Sequence, residues 1–277
     1  QDALIALGVV PVTTTEWFGE YDGAVWPWAQ DDLAAVDAAP PQALDFTDGY
    51  QFEQIAAAQP DLIIGLYSGL TQEEYDLLTE IAPTVAQPAD YVDWGIPWDE
   101  ATLTLGSIVG KSAEAQAIVD SVSGRFEAAR AEHPEFIGAS GAMATPYDGI
   151  FVYSGEDPRG RILAALGFEL PADLNELAGD DFGATLSAEQ AEYVDLDALV
   201  WLDMPAEADD AALSLYRSLA VHTEGRDIYL SSFEPLGGAT FVRPPQQPAH
   251  DVDADFCGDL GLLFGCQTAK QSHFRSP

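Results

Sequence analysis

The residues able to do chemistry in this 277-residue chain are unevenly placed. The formal net charge is −37, from 10 lysines and arginines against 47 aspartates and glutamates. Lys111 is the first basic residue, so nothing before it can meet an anion with a side-chain charge. Any anionic ligand must be met further on, and the stretch Asp157-Pro158-Arg159-Gly160-Arg161 is the best candidate. An arginine fork hydrogen-bonds carbonyl or carboxylate oxygens in a fixed geometry. The competing reading of Arg159 and Arg161 is a helix-start arginine in a surface ion pair. Large rings form a second set. Trp17, Tyr67 and Trp94 follow predicted strands of the first half in loops, and Tyr153 and Phe233 do the same in the second. Such rings can wall a bulky, partly apolar ligand and add cation–π attraction if it is positive. Packing is the alternative for each. Trp201 lies inside a predicted strand and reads as core, whereas Trp26 and Trp28 fit either role.

Other chemistries find little support. His133, His222, His250 and His273 are scattered without ligand spacing, so direct metal binding is not expected. The cysteines, Cys257 and Cys266, stand near the C-terminus outside any C-x-x-C pair, and there is no H-E-x-x-H or phosphate loop. Acid pairs such as Asp31-Asp32, Asp180-Asp181 and Asp209-Asp210 suit a solvated face in so acidic a chain. No serine–histidine–acid order stands out. The charge excludes nucleic acid, whose phosphates would be repelled. No apolar run approaches the ~18–20 residues needed to span a bilayer.

The elements that must position these residues centre on a long helix. Ser112–His133 carries Ala115, Ile118, Val119, Val122, Phe126 and Ala129 at helical period, with Ser112 as expected N-cap and Pro134 as terminator. A shorter helix from Trp98 precedes it and stops at Gly110, a left-handed cap. Before this pair, helices are expected at Asp2–Leu7, Gln51–Ala58 and Thr71–Ile81, with strands in VVPVT, LIIGL and TVAQ. After it, strands are expected in GASGAMAT, GIFVY, ALVWLD and DIYL, and helices at Pro158–Leu166, Leu186–Tyr193 and Asp209–Val221. Alternating strands and helices with short loops predict α/β lobes with largely parallel sheets.

An internal repeat sharpens this reading. ALGVVP at 6–11 recurs as ALGFELP at 165–171. Glu53-Gln54 precedes Asp61 and LIIGL, and Glu189-Gln190 precedes Asp197 and LVWL, with the same eight-residue spacing from glutamate to aspartate. Two signatures in the same order, on either side of one long helix, predict two related lobes with a ligand cleft between them.

At these residues the chain resembles the iron–siderophore and vitamin B12 class of ABC-transporter substrate-binding proteins. The matching stretches are DALIALGVVPV, QFEQIAAAQPDLIIGL, Gly110-Lys111, DPRGRILAALGFELP, SAEQAEYVDLDALVWLD and EGRDIYL. The resemblance implies two Rossmann-like α/β lobes joined by one rigid helix, the class III substrate-binding fold. Its expected divisions are an N-terminal lobe at 1–111, a connecting helix at 112–134, a C-terminal lobe at 135–242 and an atypical tail at 243–277. It implies capture of a ferric siderophore and delivery to the permease dimer of an importer, with no catalysis and no intrinsic cofactor. The protein would be a monomer outside the cytoplasm, anchored as a lipoprotein. Glu53 and Glu189 match the glutamates that pair with permease arginines in the family, against the plainer reading of helix-start acids. The lipoprotein signal and first strand of the family are not in this sequence, which predicts a first lobe short of one strand; the tail suggests an altered gene end. A cation-free first lobe favours a neutral or positive ferric hydroxamate over an anionic catecholate. Cobalamin or haem is the rival ligand within this fold. A two-lobed glycosyltransferase or oxidoreductase, or an interaction protein on a retired binding fold, would be a different class.

Overall fold

The computed structural model describes residues 1–16, 21–204 and 210–230. They divide into two compact units, Gln1–Ser123 and a second beginning at Gly124. Each is an α/β assembly with its own apolar core.

The first unit runs α1 (Asp2–Ala6), β1 (Thr13–Thr15), α2 (Pro27–Ala35), β2 (Gln42–Leu44), α3 (Phe52–Ala57), β3 (Ile63–Gly65), α4 (Gln72–Ile81), β4 (Thr84–Ala86), α5 (Trp98–Ile108) and the start of α6 (Ser112–Glu132). Its strands form two parallel pairs, β1 with β2 and β3 with β4. Local chemistry sets the helix ends. Thr71 accepts from the Glu74 amide at 3.2 Å while the Glu74 carboxylate accepts from the Thr71 amide at 2.9 Å, a reciprocal box that starts α4. Gly110 at φ +72 closes α5, where the Lys111 amide donates to Gly106 at 2.7 Å and Gly110 donates to Ser107 at 3.4 Å. That pair of bonds is the Schellman arrangement, which satisfies two otherwise orphaned carbonyls. Leu4, Leu7, Leu66, Ile96, Leu105 and Ala115 form the core beside α5 and α6. Ile5, Val25, Ala29 and Leu33 form a second cluster where α1 meets α2.

The apolar stripe of α6 is inward as its periodicity predicts. Ala115, Val119, Val122 and Ala129 are buried, Ile118 and Phe126 are half-buried, and Asp120 and Glu127 are exposed. Ser112 is the first helical residue, not the residue before the helix, because the Schellman turn already sets the chain direction at Lys111.

The second unit continues with β5 (Gly141–Pro146), β6 (Ile150–Tyr153), α7 (Pro158–Leu166), α8 (Ala172–Ala178), β7 (Gly183–Leu186), a 3₁₀ helix at Ala188–Val194, β8 (Ala198–Leu202), α9 (Ala211–Tyr216), α10 (Ala220–Thr223) and β9 (Asp227–Leu230). The sheet order is β7-β6-β5-β8-β9. Every residue of β8 is buried, as expected for a strand with parallel neighbours on both edges and covered faces. Its Leu199 and Trp201 share a core with Ile150, Leu186, Leu213 and Tyr216.

Several expectations change at this level. The second sheet is mixed, because the tight turn at Tyr147–Gly149 folds β6 back antiparallel on β5, and β7 pairs antiparallel with β6. Leu186 ends strand β7, so the helix expected at Leu186–Tyr193 is instead the 3₁₀ turn that Ser187 and Gln190 cap. The helix expected over Asp209–Val221 is two helices, since Leu219 is extended and re-caps the chain. The VVPVT strand begins only at Thr13, past Pro11. Helices α2 and α8 and strand β2 lie in proline-flanked stretches, and β7 is four residues long, too short to show a period.

Candidate functional site

In the second unit the candidate residues meet where β6 ends. Asp157 caps α7 by accepting from the Arg159 amide at 2.8 Å, and Pro158 occupies the first helical position, where it forfeits no bond. The same carboxylate receives Arg159 Nη1 on both oxygens, at 3.1 Å each. The Arg159 guanidinium carbon lies 4.6 Å from the centre of the Tyr153 ring. Arg159 is only 8% exposed, so carboxylate, ring and helix start together fix its guanidinium. Burial pushes the Asp157 carboxyl upward, against the opposing pull of Arg159. Burial likewise raises the Tyr153 phenol.

Gly160 is what permits this closeness. A Cβ there would stand 2.1 Å from the Ser154 carbonyl oxygen, so the first turn of α7 packs directly on the backbone leaving β6. Arg161 is engaged differently. Its Nε donates to the Glu156 carbonyl at 3.1 Å and its Nη2 meets the Glu156 carboxylate at 2.5 Å, at partial exposure. Arg161 thus stands in a partly exposed ion pair with Glu156, whereas Arg159 is buried in a pair with Asp157.

In the first unit Tyr67 and Trp94 meet edge to face, with ring centres 5.3 Å apart and planes at 71°. Tyr67 follows β3 and Trp94 lies in the loop after β4. The Trp94 backbone is left-handed at φ +63 and donates to Ser68 at 3.2 Å, which draws the two loops together. Gly69 leaves room there, since a Cβ would meet Asp93 Oδ2 and Trp94 Nε1 at 3.1 Å. Asp93 itself accepts from Gln87 at 2.7 Å. The first unit thus offers an aromatic and acidic surface, and the second an arginine whose charge is balanced on the spot.

Glu53 is exposed in the first turn of α3, and Glu189 is exposed in the 3₁₀ helix. Trp17 and Phe233 lie outside the described residues. Trp26 is buried and stacked on Trp28 at 4.8 Å, and Trp28 Nε1 donates to Asp2 at 2.7 Å, so both pack. Trp201 is fully buried in β8.

Reading by residue type named Asp157 only within its stretch and gave it no role of its own; its signal was a short acid directly before a proline-started helix. It also missed a cluster of Tyr216, His222, Asp227 and Tyr229. There, burial and the Asp227 carboxylate raise both phenols above the ordinary tyrosine range. Among the described residues, histidine, cysteine, aspartate and glutamate alone form no group of three suited to a metal. No helix among them is long and apolar enough to cross a membrane.

The described residues form two α/β units, each with a core of its own. The chain belongs to the periplasmic binding protein family, whose model matches residues 2–217. Among solved structures it is similar to PiaA of Streptococcus pneumoniae TIGR4 in complex with ferrichrome, at 25% identity and TM-score 0.72, covering 87% of this chain and 84% of that one. A periplasmic solute-binding protein of Mycobacterium smegmatis str. MC2 155 shares 30% identity at TM-score 0.67, covering 87% and 83%. FhuD2 of Staphylococcus aureus with bound ferrioxamine B shares the fold at 18% identity and TM-score 0.63, covering 84% and 85%. No curated protein sequence matches.

Proposed function

We propose that this protein captures a ferric siderophore of the hydroxamate type outside the cytoplasm and hands it to an ABC importer. The observation that carries the reading is the likeness, over 87% of the chain, to a binding protein solved with ferrichrome. Charge supports the hydroxamate class. The first 110 positions contain no cation, and Arg159 is already balanced by Asp157. A multiply anionic catecholate would find little to neutralise it, whereas a neutral or cationic chelate meets aromatic faces and carboxylates.

Tyr67 and Trp94 in the first unit, and Tyr153 and Arg159 in the second, are the proposed ligand contacts, with Arg161 beside them. Tyr153 and Arg159 would act as one platform, the ring presenting apolar surface and the guanidinium donating to ligand oxygens. Glu53 and Glu189 are the proposed docking groups for permease arginines; both are exposed, as that role requires. Binding and release involve no bond-making on the ligand. Tryptophan fluorescence titrated with ferrichrome, ferrioxamine B, a ferric catecholate, cobalamin and haem tests the reading. Saturable quenching at micromolar or lower concentration by the ferric hydroxamates is expected. Quenching by none of the five would refute it.

A further inference from the structure

The first unit holds a carboxylate against aromatic rings with no positive charge beside it. Asp93 lies between β4 and α5 and is exposed. Its Oδ1 accepts from Gln87 Nε2 at 2.7 Å, and Oε1 of the same glutamine accepts from the Trp94 amide at 3.3 Å. One glutamine side chain therefore fixes both neighbours. Among the described residues none donates a hydrogen bond to Asp93 Oδ2. That oxygen and Trp94 Nε1 each stand 3.1 Å from the place a Cβ on Gly69 would take, so carboxylate and indole edge converge over the Gly69 backbone. The Trp94 ring meets Tyr67 at 5.3 Å on the same stretch of surface.

We propose that Asp93, together with Trp94 and Tyr67, reads a positive charge on the ligand, so that the protein prefers a ferric hydroxamate bearing a free ammonium arm to a neutral one. The inference rests on the hydroxamate reading and narrows it. An ammonium group donates to Asp93 Oδ2 in a charge-assisted hydrogen bond, and the rings beside it add cation–π attraction. A neutral arm laid over the same oxygen would strip its water and return no bond, which widens the discrimination. No side-chain cation precedes Lys111, so nothing in that stretch competes for the carboxylate.

The position in the fold suits this role. Strands β3 and β4 run parallel, and Tyr67 and Gln87 lie just past their carboxyl ends, where ligands of parallel sheets bind. Trp94 holds a left-handed backbone at φ +63, a conformation that a bulky residue keeps only when its surroundings impose it. Here the Gln87 side chain and the Ser68 carbonyl, which accepts from the Trp94 amide at 3.2 Å, impose it. The net charge of −37 attracts any cation to the surface at large, without regard to position. The Asp93 arrangement is local, and one substitution separates it from that general field.

The test compares two probes that differ by one charge: ferrioxamine B, whose pendant amine is protonated at neutral pH, and its neutral N-acetyl derivative. Both are titrated against the full chain by tryptophan fluorescence. The wild type is expected to bind the cationic probe roughly threefold to thirtyfold more tightly, the span of one exposed ion pair with a cation–π contact. The preference should shrink when salt is raised to about 1 M. Asp93→Asn keeps an acceptor for Gln87 and removes the charge, and should bring the two affinities together. Asp120→Asn, at an exposed acid of α6, should retain the preference. Circular dichroism of each variant confirms folding. Equal wild-type affinity for the two probes would overturn the proposal and leave the hydroxamate reading standing. A preference undiminished in folded Asp93→Asn, or lost equally in Asp120→Asn, would overturn it as well. Binding of neither probe would overturn the proposal together with the reading it rests on.

Discussion

Replacing Gly160 by alanine tests whether the first turn of α7 holds the Tyr153–Arg159 platform. Helix propensity alone predicts a gain, since alanine is favoured over glycine by ~1 kcal/mol inside a helix. The packing predicts the opposite. The new methyl would sit 2.1 Å from the Ser154 carbonyl oxygen, where ordinary contact begins at 3.4 Å. The Ser154 carbon and Gly155 Cα, at 3.0 and 3.3 Å, are backbone too, so no flexible side chain can yield. Helix and loop must separate by about an ångström, at an overpacking cost of ~1–3 kcal/mol. Set against the propensity gain, a net loss of about 1–2 kcal/mol is expected at the upper end of that range. The same retreat pulls Arg159 off the Tyr153 face, an interaction of ~0.5–2 kcal/mol, so ferrichrome binding should weaken roughly twofold to thirtyfold. Urea denaturation gives the first quantity and fluorescence titration the second. Stabilisation by Gly160→Ala would refute the packing argument. Lost stability with unchanged ferrichrome affinity would refute the link from α7 to the ligand.

Other expectations follow from the same reasoning. Gly106→Ala should destabilise in urea by about 1–2 kcal/mol, because its Cβ would lie 2.3 Å from that of buried Ala115 and crowd the Schellman turn. Arg159→Lys keeps the charge but loses the planar fork on Asp157 and the stacking on Tyr153; ferrichrome affinity should fall, and equal affinity would show that charge alone matters. Asp197 accepts from the Ser140 amide and hydroxyl at 2.9 and 2.8 Å, which lowers its pKa below the ordinary carboxylate value of 3.8. A carboxylate depressed by folding stabilises above its unfolded pKa and loses that contribution as pH falls through the folded one. Ser140→Ala should therefore cost stability at neutral pH and have a shrinking effect in acid, read from thermal melts across that range. Reversing Glu53 and Glu189 to arginine should leave ferrichrome binding intact and abolish uptake through the importer in proteoliposomes; undiminished uptake would reject the docking role.

Much of the chain was readable without coordinates because the signals were local. The α6 stripe and the left-handed Gly110 act over one helical turn, where side-chain spacing and backbone freedom decide the outcome. The alternation of strands and helices on either side of α6, and the continuous apolar run of β8, likewise announced two α/β units. Tertiary structure decided what depends on chain reversal and long-range approach. The turn at Tyr147–Gly149 makes β6 antiparallel, which a run of apolar residues cannot specify. Leu219 breaks one expected helix into two, and only that break brings Tyr216 and His222 onto Asp227. Asp157, Arg159 and Tyr153 were adjacent in sequence, yet burial turned two surface-type charges into a fixed pair beneath a ring. Residue types said which chemistries were available; close packing, felt atom by atom through positions such as Gly160, settled which of them meet.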